Sequence, residues 1–370
     1  MNPEQRWVPG ALAGICATFM GTVVGAGFAS GREIYQFFSR YGGYGFAGMI
    51  LAFLVMGWAG MKVYRFGYCV KPRSYQELLQ FLLGPRLTGL ADLLLSLFFL
   101  LLIAVMFAGS GAIFATLHIN HWYGILITAV FLVGILWKEF SGIIAINLLV
   151  IPLMFLGALL VAGNAIVNHP ELLENGALIS RNPRPPEPWL LIKGLIAATQ
   201  FAAYNLILAV PVLLSLAKRY PFPRILKLGG WMGCLGLGLM TAVIHWALLS
   251  HLSVLQDCPL PMVELAKGLG VWGYFGYALI LWGEMLTTLL ANTYGLAVRL
   301  NSLTRWPFRL WVIVLTLGGM AMAQVGFTRL IARVYPAYGF LCFILIVLLF
   351  LKVKGADPRP GTKETVWKWK

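Results

Sequence analysis

Apolar runs of about twenty residues recur along this chain from one end to the other. At about 1.5 Å of rise per residue, each is long enough to cross a hydrocarbon layer about 30 Å thick. Lipid offers the backbone no hydrogen-bond partner, so such a run is a helix unless it belongs to a closed barrel. Barrel strands alternate apolar and polar residues over about ten positions, and these runs do not. Composition agrees: 60% of the residues are hydrophobic and 11% charged, against about 45–50% and about 25% in soluble domains. The chain reads as an all-α polytopic membrane protein with the lipid bilayer as its main partner.

The net charge of +15 raises nucleic acid as a partner, but the distribution argues against it. Lys and Arg lie between the hydrophobic segments and in the tail, as in cytoplasmic loops. Cys16, Cys69, Cys234, Cys258 and Cys342 are scattered without a CxxC spacing, so they read as small packing residues rather than metal ligands or disulfides. The first apolar stretch outruns a signal-peptide core and carries Gly and polar positions, which predicts that it is retained.

Ten spans are expected, at about 9–38, 43–64, 86–117, 122–137, 141–167, 189–218, 224–250, 270–300, 307–324 and 329–351. A proline-rich stretch around Pro183, Pro185, Pro186 and Pro188 divides them. The expected organisation is a first five-helix repeat at 1–168, an external loop at 169–188, a second repeat at 189–352 and a basic tail at 353–370. In each half a long helix and a second span precede a short amphipathic piece, a very long helix and two further spans. The amphipathic pieces are at 75–83, with Glu77, and at 262–269, with Glu264 in the same place; both have helical apolar spacing. An odd number of spans per half inverts one half relative to the other, as in several transporter folds. With the N-terminus inside, twenty of the 28 Lys and Arg fall on the inner side, which predicts both termini in the cytoplasm.

The sharpest local feature is the glycine-rich run containing Gly21, Gly25, Gly27 and Gly31. Each glycine weakens a helix by about 1 kcal/mol relative to Ala. The glycines sit about 24 Å into the first span, where unwound backbone is tolerated only beside protein or a cavity. One reading is a break that offers carbonyls to a cation and amides to a carboxylate. The other is tight helix packing through the Gly21-xxx-Gly25 spacing. A dinucleotide loop is excluded because no strand precedes the run.

The residues from Gly21 to Phe38, GTVVGAGFASGREIYQFF, closely resemble the start of the YkvI-like family of bacterial membrane proteins. That family is placed in the amino acid–polyamine–organocation superfamily, which has the LeuT-type fold. The resemblance extends along most of the chain and includes Tyr204-Asn205. It implies two inverted five-helix repeats with helices 1 and 6 discontinuous, and ion-coupled uptake of an amino acid or related small amine. Transporters of this fold bind at the bilayer midplane, on broken helices. On that pattern Gly25, Ala26 and Gly27 contribute to the substrate site. By position, Thr287 and Thr288 match the hydroxyl pair that helix 8 gives a sodium site in LeuT-type sodium transporters. The carbonyls of Gly21 and Val24 would complete that oxygen-only set; apart from such a sodium ion no cofactor is expected.

The sixth span carries Gln200, Tyr204 and Asn205 at mid-membrane depth, with Pro211 six residues further on. They read either as a substrate or ion shell facing the break or as interhelical hydrogen-bonders. No glycine stands at the expected break of this span. Glu284 lies about fourteen residues from the ends of the eighth span, where an acidic side chain costs about 2.5 kcal/mol or more and by default marks a functional site. It reads as a proton carrier for coupling, as a counter-charge to a substrate amine, or as half of a structural ion pair. Thr287 and Thr288 have the alternative of bonding back to their own helix. Arg32 and Glu33 follow the break and read as an external gate or as anchors in a water-filled vestibule. Met106 and Ser110 lie at a depth suited to lining a pocket or to ordinary packing. His245 reads as a hydrogen-bonded core residue or a proton relay.

The function expected is a proton- or sodium-coupled symporter. The alternative is a ligand-sensing receptor or channel subunit on the same fold, as spore germinant receptor subunits are. An enzyme is not expected, since the chain has no HExxH-type cluster and no nucleophile-and-base set.

Overall fold

The computed structural model describes residues 9–72, 75–137, 141–168, 188–220, 223–255 and 258–353. Every regular element among them is helical. The helices are α1 (Pro9–Val23), α2 (Ala26–Ala29), α3 (Arg32–Phe37), α4 (Tyr44–Val70), α5 (Tyr75–Leu83), α6 (Pro85–Thr116), α7 (His121–Trp137), α8 (Ser141–Val167), α9 (Pro188–Arg219), α10 (Pro223–Ser250), α11 (Leu252–Leu255), α12 (Pro261–Ala266), α13 (Gly270–Leu303), α14 (Phe308–Ala323) and α15 (Phe327–Lys352). Six long helical stretches are apolar enough to cross a membrane, and four shorter apolar ones accompany them. The proline-rich loop and the tail beyond 353 lie outside the described residues.

Local sequence explains where the helices stop. Gly84, Gly270 and Gly326 have φ of 76°, 77° and 93°, a left-handed conformation that glycine adopts without penalty. They start α6, α13 and α15. The two amphipathic pieces form α5 and α12, the latter continued by a 3-10 turn at Lys267–Leu269. Pro152, Pro211 and Pro336 sit inside helices.

The helices pack as two groups. In one, α4 lies against α9 and α10, and α1 against α9 and α10. In the other, α6 packs against α7, α13 and α14. The remaining two join them: α8 touches α10 and α13, and α15 touches α9 and α6. Lipid tails are as apolar as leucine, so small residues and close approach hold such helices together. Gly57 of α4 receives the Trp231 ring of α10, Gly233 of α10 lies against Phe19 of α1, and Gly67 of α4 faces Ala217 of α9. The outer surface carries large exposed apolar side chains such as Leu93 and Leu97 of α6 and Leu235 and Leu239 of α10. Trp122, Trp137, Trp189, Trp272 and Trp306, all near helix ends, are exposed too. This is the apolar band with aromatic belts of a multi-pass membrane protein.

One expectation for the helices is corrected. The first predicted span breaks, whereas the sixth does not: α9 runs unbroken from Pro188 to Arg219. The stretch 199–211 lacks glycine and is rich in Ala and Leu, both strong helix formers. Asn205 donates Nδ2 to the Phe201 carbonyl at 3.0 Å and Ser215 donates to the Pro211 carbonyl at 2.9 Å, so side chains bond along the helix.

Candidate functional site

The break in the first span is built by two glycines. The Val24 amide is the last of α1 to reach back, to the Met20 carbonyl at 2.9 Å. Gly25 is then extended, with φ −124° and ψ −177°. After the single turn of α2, Gly31 adopts φ 76°, and α3 sets off in a new direction. The short segment is pinned from outside by Met262, whose amide donates to the Ser30 carbonyl at 3.0 Å. Tyr277 of α13 fixes it from the other side, donating its hydroxyl to the Ala29 carbonyl at 2.6 Å. Packing at Gly31 is close enough that a Cβ there would come within 2.7 Å of Met262 Cγ.

Beside this break lies a cavity of about 300 Å³. Its floor and walls come from α1 to α3, α6, α9, α13 and α15. Gly21, Val24, Gly25, Ala26 and Gly27 supply the broken segment, and Met106 the face of α6. Tyr204 and Asn205 enter from α9. On α13, Glu284, Thr287, Thr288 and Ala291 line it together, because positions i, i+3, i+4 and i+7 share one face of a helix.

Glu33 faces the cavity. Its carboxylate folds back over Gly27, so closely that a Cβ on Gly27 would collide with it. Tyr204 donates its hydroxyl to Glu33 Oε2 at 2.7 Å, and the Tyr335 hydroxyl bonds the same carboxylate. Arg32 points elsewhere: its Nη1 donates to the Cys258 carbonyl at 3.0 Å and its guanidinium lies 4.8 Å from the Tyr35 ring centre. As consecutive residues of α3 they point about 100° apart around the helix. Glu33 belongs to the cavity and Arg32 to the α12 side.

Glu284 is buried, 3% exposed, and its Oε2 has no hydrogen-bond partner among the described residues. Thr287 donates to the Glu284 carbonyl at 3.0 Å, the back-bond weighed from the sequence, and its oxygen keeps lone pairs. Thr288 faces the break: a Cβ on Gly25 would stand 3.9 Å from its Oγ1. A hydroxyl beside frayed backbone is a set of oxygen donors suited to a hard cation.

Two of the expected substrate residues fall outside this cavity. Ser110 is fully buried one turn above Met106, with its carbonyl against Gly124 of α7. Gln200 packs its backbone and Cβ against Gly339 of α15. His245 is also remote: its Nδ1 lies 2.8 Å from Ser39 Oγ, in the core between α10 and the turn after α3. Tyr335 and Asn292, by contrast, line the cavity without having been singled out. A tyrosine directly before Pro336 and an asparagine eight residues after Glu284 are polar groups at spanning depth, and that is the signal that marks them.

No family model matches the chain. It is similar to the uncharacterized membrane protein YkvI of Bacillus subtilis (strain 168), 28% identical over 350 residues that cover 93% of this chain and 96% of that protein. It is also similar to the uncharacterized protein YyaD of the same strain, at 25% over 334 residues, 90% of this chain and 94% of the other. The likeness runs through nearly the whole length of all three proteins.

Proposed function

We propose that the protein is a secondary active transporter, a proton- or sodium-coupled symporter of an amino acid or related small amine that works by alternating access. The observation that carries this reading is the meeting of a helix break with two buried carboxylates around one cavity within the spans. Unwound backbone inside a membrane protein is tolerated beside a cavity, and an acidic residue at that depth is expensive unless it binds something. The break and Tyr204-Asn205 would hold the substrate. Glu284 would take the coupling proton, or Thr287, Thr288 and the Gly21 and Val24 carbonyls a sodium ion.

The reading extends to the whole chain. Ten spans in two inverted five-helix repeats of the LeuT type, within the amino acid–polyamine–organocation superfamily, account for the packing. Exchanging the halves maps α1 against α10 onto α9 against α4, the reciprocity that an inverted repeat requires. The Lys and Arg distribution supports a place in the bacterial cytoplasmic membrane with both termini inside.

Alternating access makes one testable demand on the cavity. With the five native cysteines replaced, Ala291→Cys should react with a membrane-impermeant thiol reagent from outside in one ionic condition and from inside in another. Reaction from one side only, in every condition and with every ligand, would favour a receptor.

A further inference from the structure

A second cavity, of about 370 Å³, lies where α6 ends, α7 begins and α14 turns into α15. It shares no lining residue with the cavity beside the break, and its electrostatics are the reverse. The first is lined by two acids and no base; among the described residues that line the second, Arg329 and His121 stand without an Asp or Glu. Arg329 has no ion-pair or hydrogen-bond partner among the described residues, and neither has Arg333 one turn further along α15. Both are exposed. Like charges at i and i+4 repel along a helix. In the topology proposed above this is the outer end of the bundle, where the charge bias of membrane proteins disfavours Arg. Positive charge gathered there without an acid is complementary to an anion.

The rest of the lining narrows the chemistry. Gln324 spends its Nε2 on the Met320 carbonyl at 3.1 Å, so the side-chain donors left are Arg329, His121 and the Thr328 hydroxyl. Ala108, Ala112, Ile125, Val325 and Phe327 present hydrocarbon, which favours a ligand with an apolar body. A bare inorganic ion would leave most of the space unfilled, since one water molecule takes about 30 Å³ of liquid. An ammonium group would meet no carboxylate among the described residues of this lining, so amines and zwitterions are poorly matched.

We propose that this outer cavity is a second binding site for a singly charged organic oxyanion, a carboxylate or phosphate on a small hydrocarbon body. The head pairs with the Arg329 guanidinium, whose planar fork can engage two oxygens at once. His121 and Thr328 donate beside it, and the body lies against α6 and α7. A free carboxylic acid anion and the headgroup phosphate of an anionic lipid offer the same chemistry. The site stands apart from the transporter reading, from which it takes only its place on the outer side.

The test is equilibrium dialysis of radiolabelled benzoate against the purified full-length protein in a zwitterionic detergent, at fixed pH and ionic strength. Benzoate should bind saturably, and neither benzamide, its neutral isostere, nor benzylamine should compete. Arg329→Gln should weaken binding tenfold or more. Arg329→Lys should restore part of the loss, because it keeps the charge without the fork. Ala112→Leu, which takes up space in the cavity and keeps both cations, should weaken binding too, and it carries the test if Arg329→Gln fails to fold. Phosphatidylglycerol and phosphatidylcholine are titrated in parallel, read by displacement of benzoate and by the melting temperature. Displacement or stabilisation by phosphatidylglycerol alone, lost in Arg329→Gln, assigns the site to a lipid headgroup. Benzoate binding that neither lipid displaces assigns it to a free carboxylate. Equal benzoate affinity in the variants and the native chain would overturn the proposal, as would equal competition by benzamide. Saturable binding of neither benzoate nor phosphatidylglycerol would do the same. Loss of benzoate binding in Glu284→Gln but not in Arg329→Gln would put the anion in the central cavity, and that too would overturn it.

Discussion

At the scale of single residues, the site depends on a few contacts that substitution can isolate. Gly27→Ala adds one methyl, which would collide with the Glu33 carboxylate. Alanine favours a helix over glycine by about 1 kcal/mol, so helix propensity alone predicts no harm. The expected result is a tenfold or greater loss of ligand affinity with the melting temperature little changed, measured by ligand titration of the purified variant. Glu284→Gln removes the one carboxyl on α13 that faces the cavity. Uptake of a monoamine or amino acid driven by a pH gradient should vanish while exchange persists in vesicles. Asn205 already spends its Nδ2 on the Phe201 carbonyl, and its oxygen remains for a ligand. Asn205→Ala should weaken binding without lowering expression, and normal affinity would assign Asn205 to packing alone. These residues were legible because polar groups are scarce in apolar spans. Glu33 was legible as a residue but not as a direction, since the turn at Gly31 decides where it points and spacing along a helix does not.

At the scale of elements, the sequence marked the helices well because each boundary has a local cause. Predicted and observed ends agree within a few residues for most, although α4 continues to Val70, six residues past the expected Tyr64. Nothing in the turn chemistry stops it earlier. The unbroken α9 shows the limit of inference by symmetry: a repeat partner breaks only if its own residues allow it, and no glycine does so here. Between elements, Asp92 of α6 pairs with Arg299 of α13 and also accepts the Tyr75 hydroxyl of α5 at 3.3 Å. This contact joins three helices at one end of the bundle, and no sequence spacing announces it. Arg299→Leu should lower stability by about 1–3 kcal/mol, less than the about 3–5 kcal/mol of a fully buried pair, since both side chains keep some exposure. The shift of the thermal midpoint, with and without Asp92→Leu in the same chain, measures it. Gly57→Leu should cost stability at the α4–α10 seam, because the Trp231 ring occupies the space a side chain would need.

At the scale of the whole molecule, composition and run length alone establish a helical multi-pass membrane protein, and the packing adds two groups of helices joined by α8 and α15. The cavity lies where those groups meet beside the broken first span, so a relative movement of the groups would open it to one side or the other. This geometry was beyond the sequence, because which helices touch depends on small-residue seams, such as Gly57 against Trp231, rather than on any motif. A transporter and a sensor can share this geometry, and flux is the quantity that separates them. The most direct measurement is current from purified protein in proteoliposomes, with amines and amino acids offered under a sodium gradient and separately under a proton gradient. Coupled transport predicts a substrate-dependent current under one of the two gradients. No current under either, together with ligand-dependent thermal stabilisation, would contradict it and leave a membrane receptor.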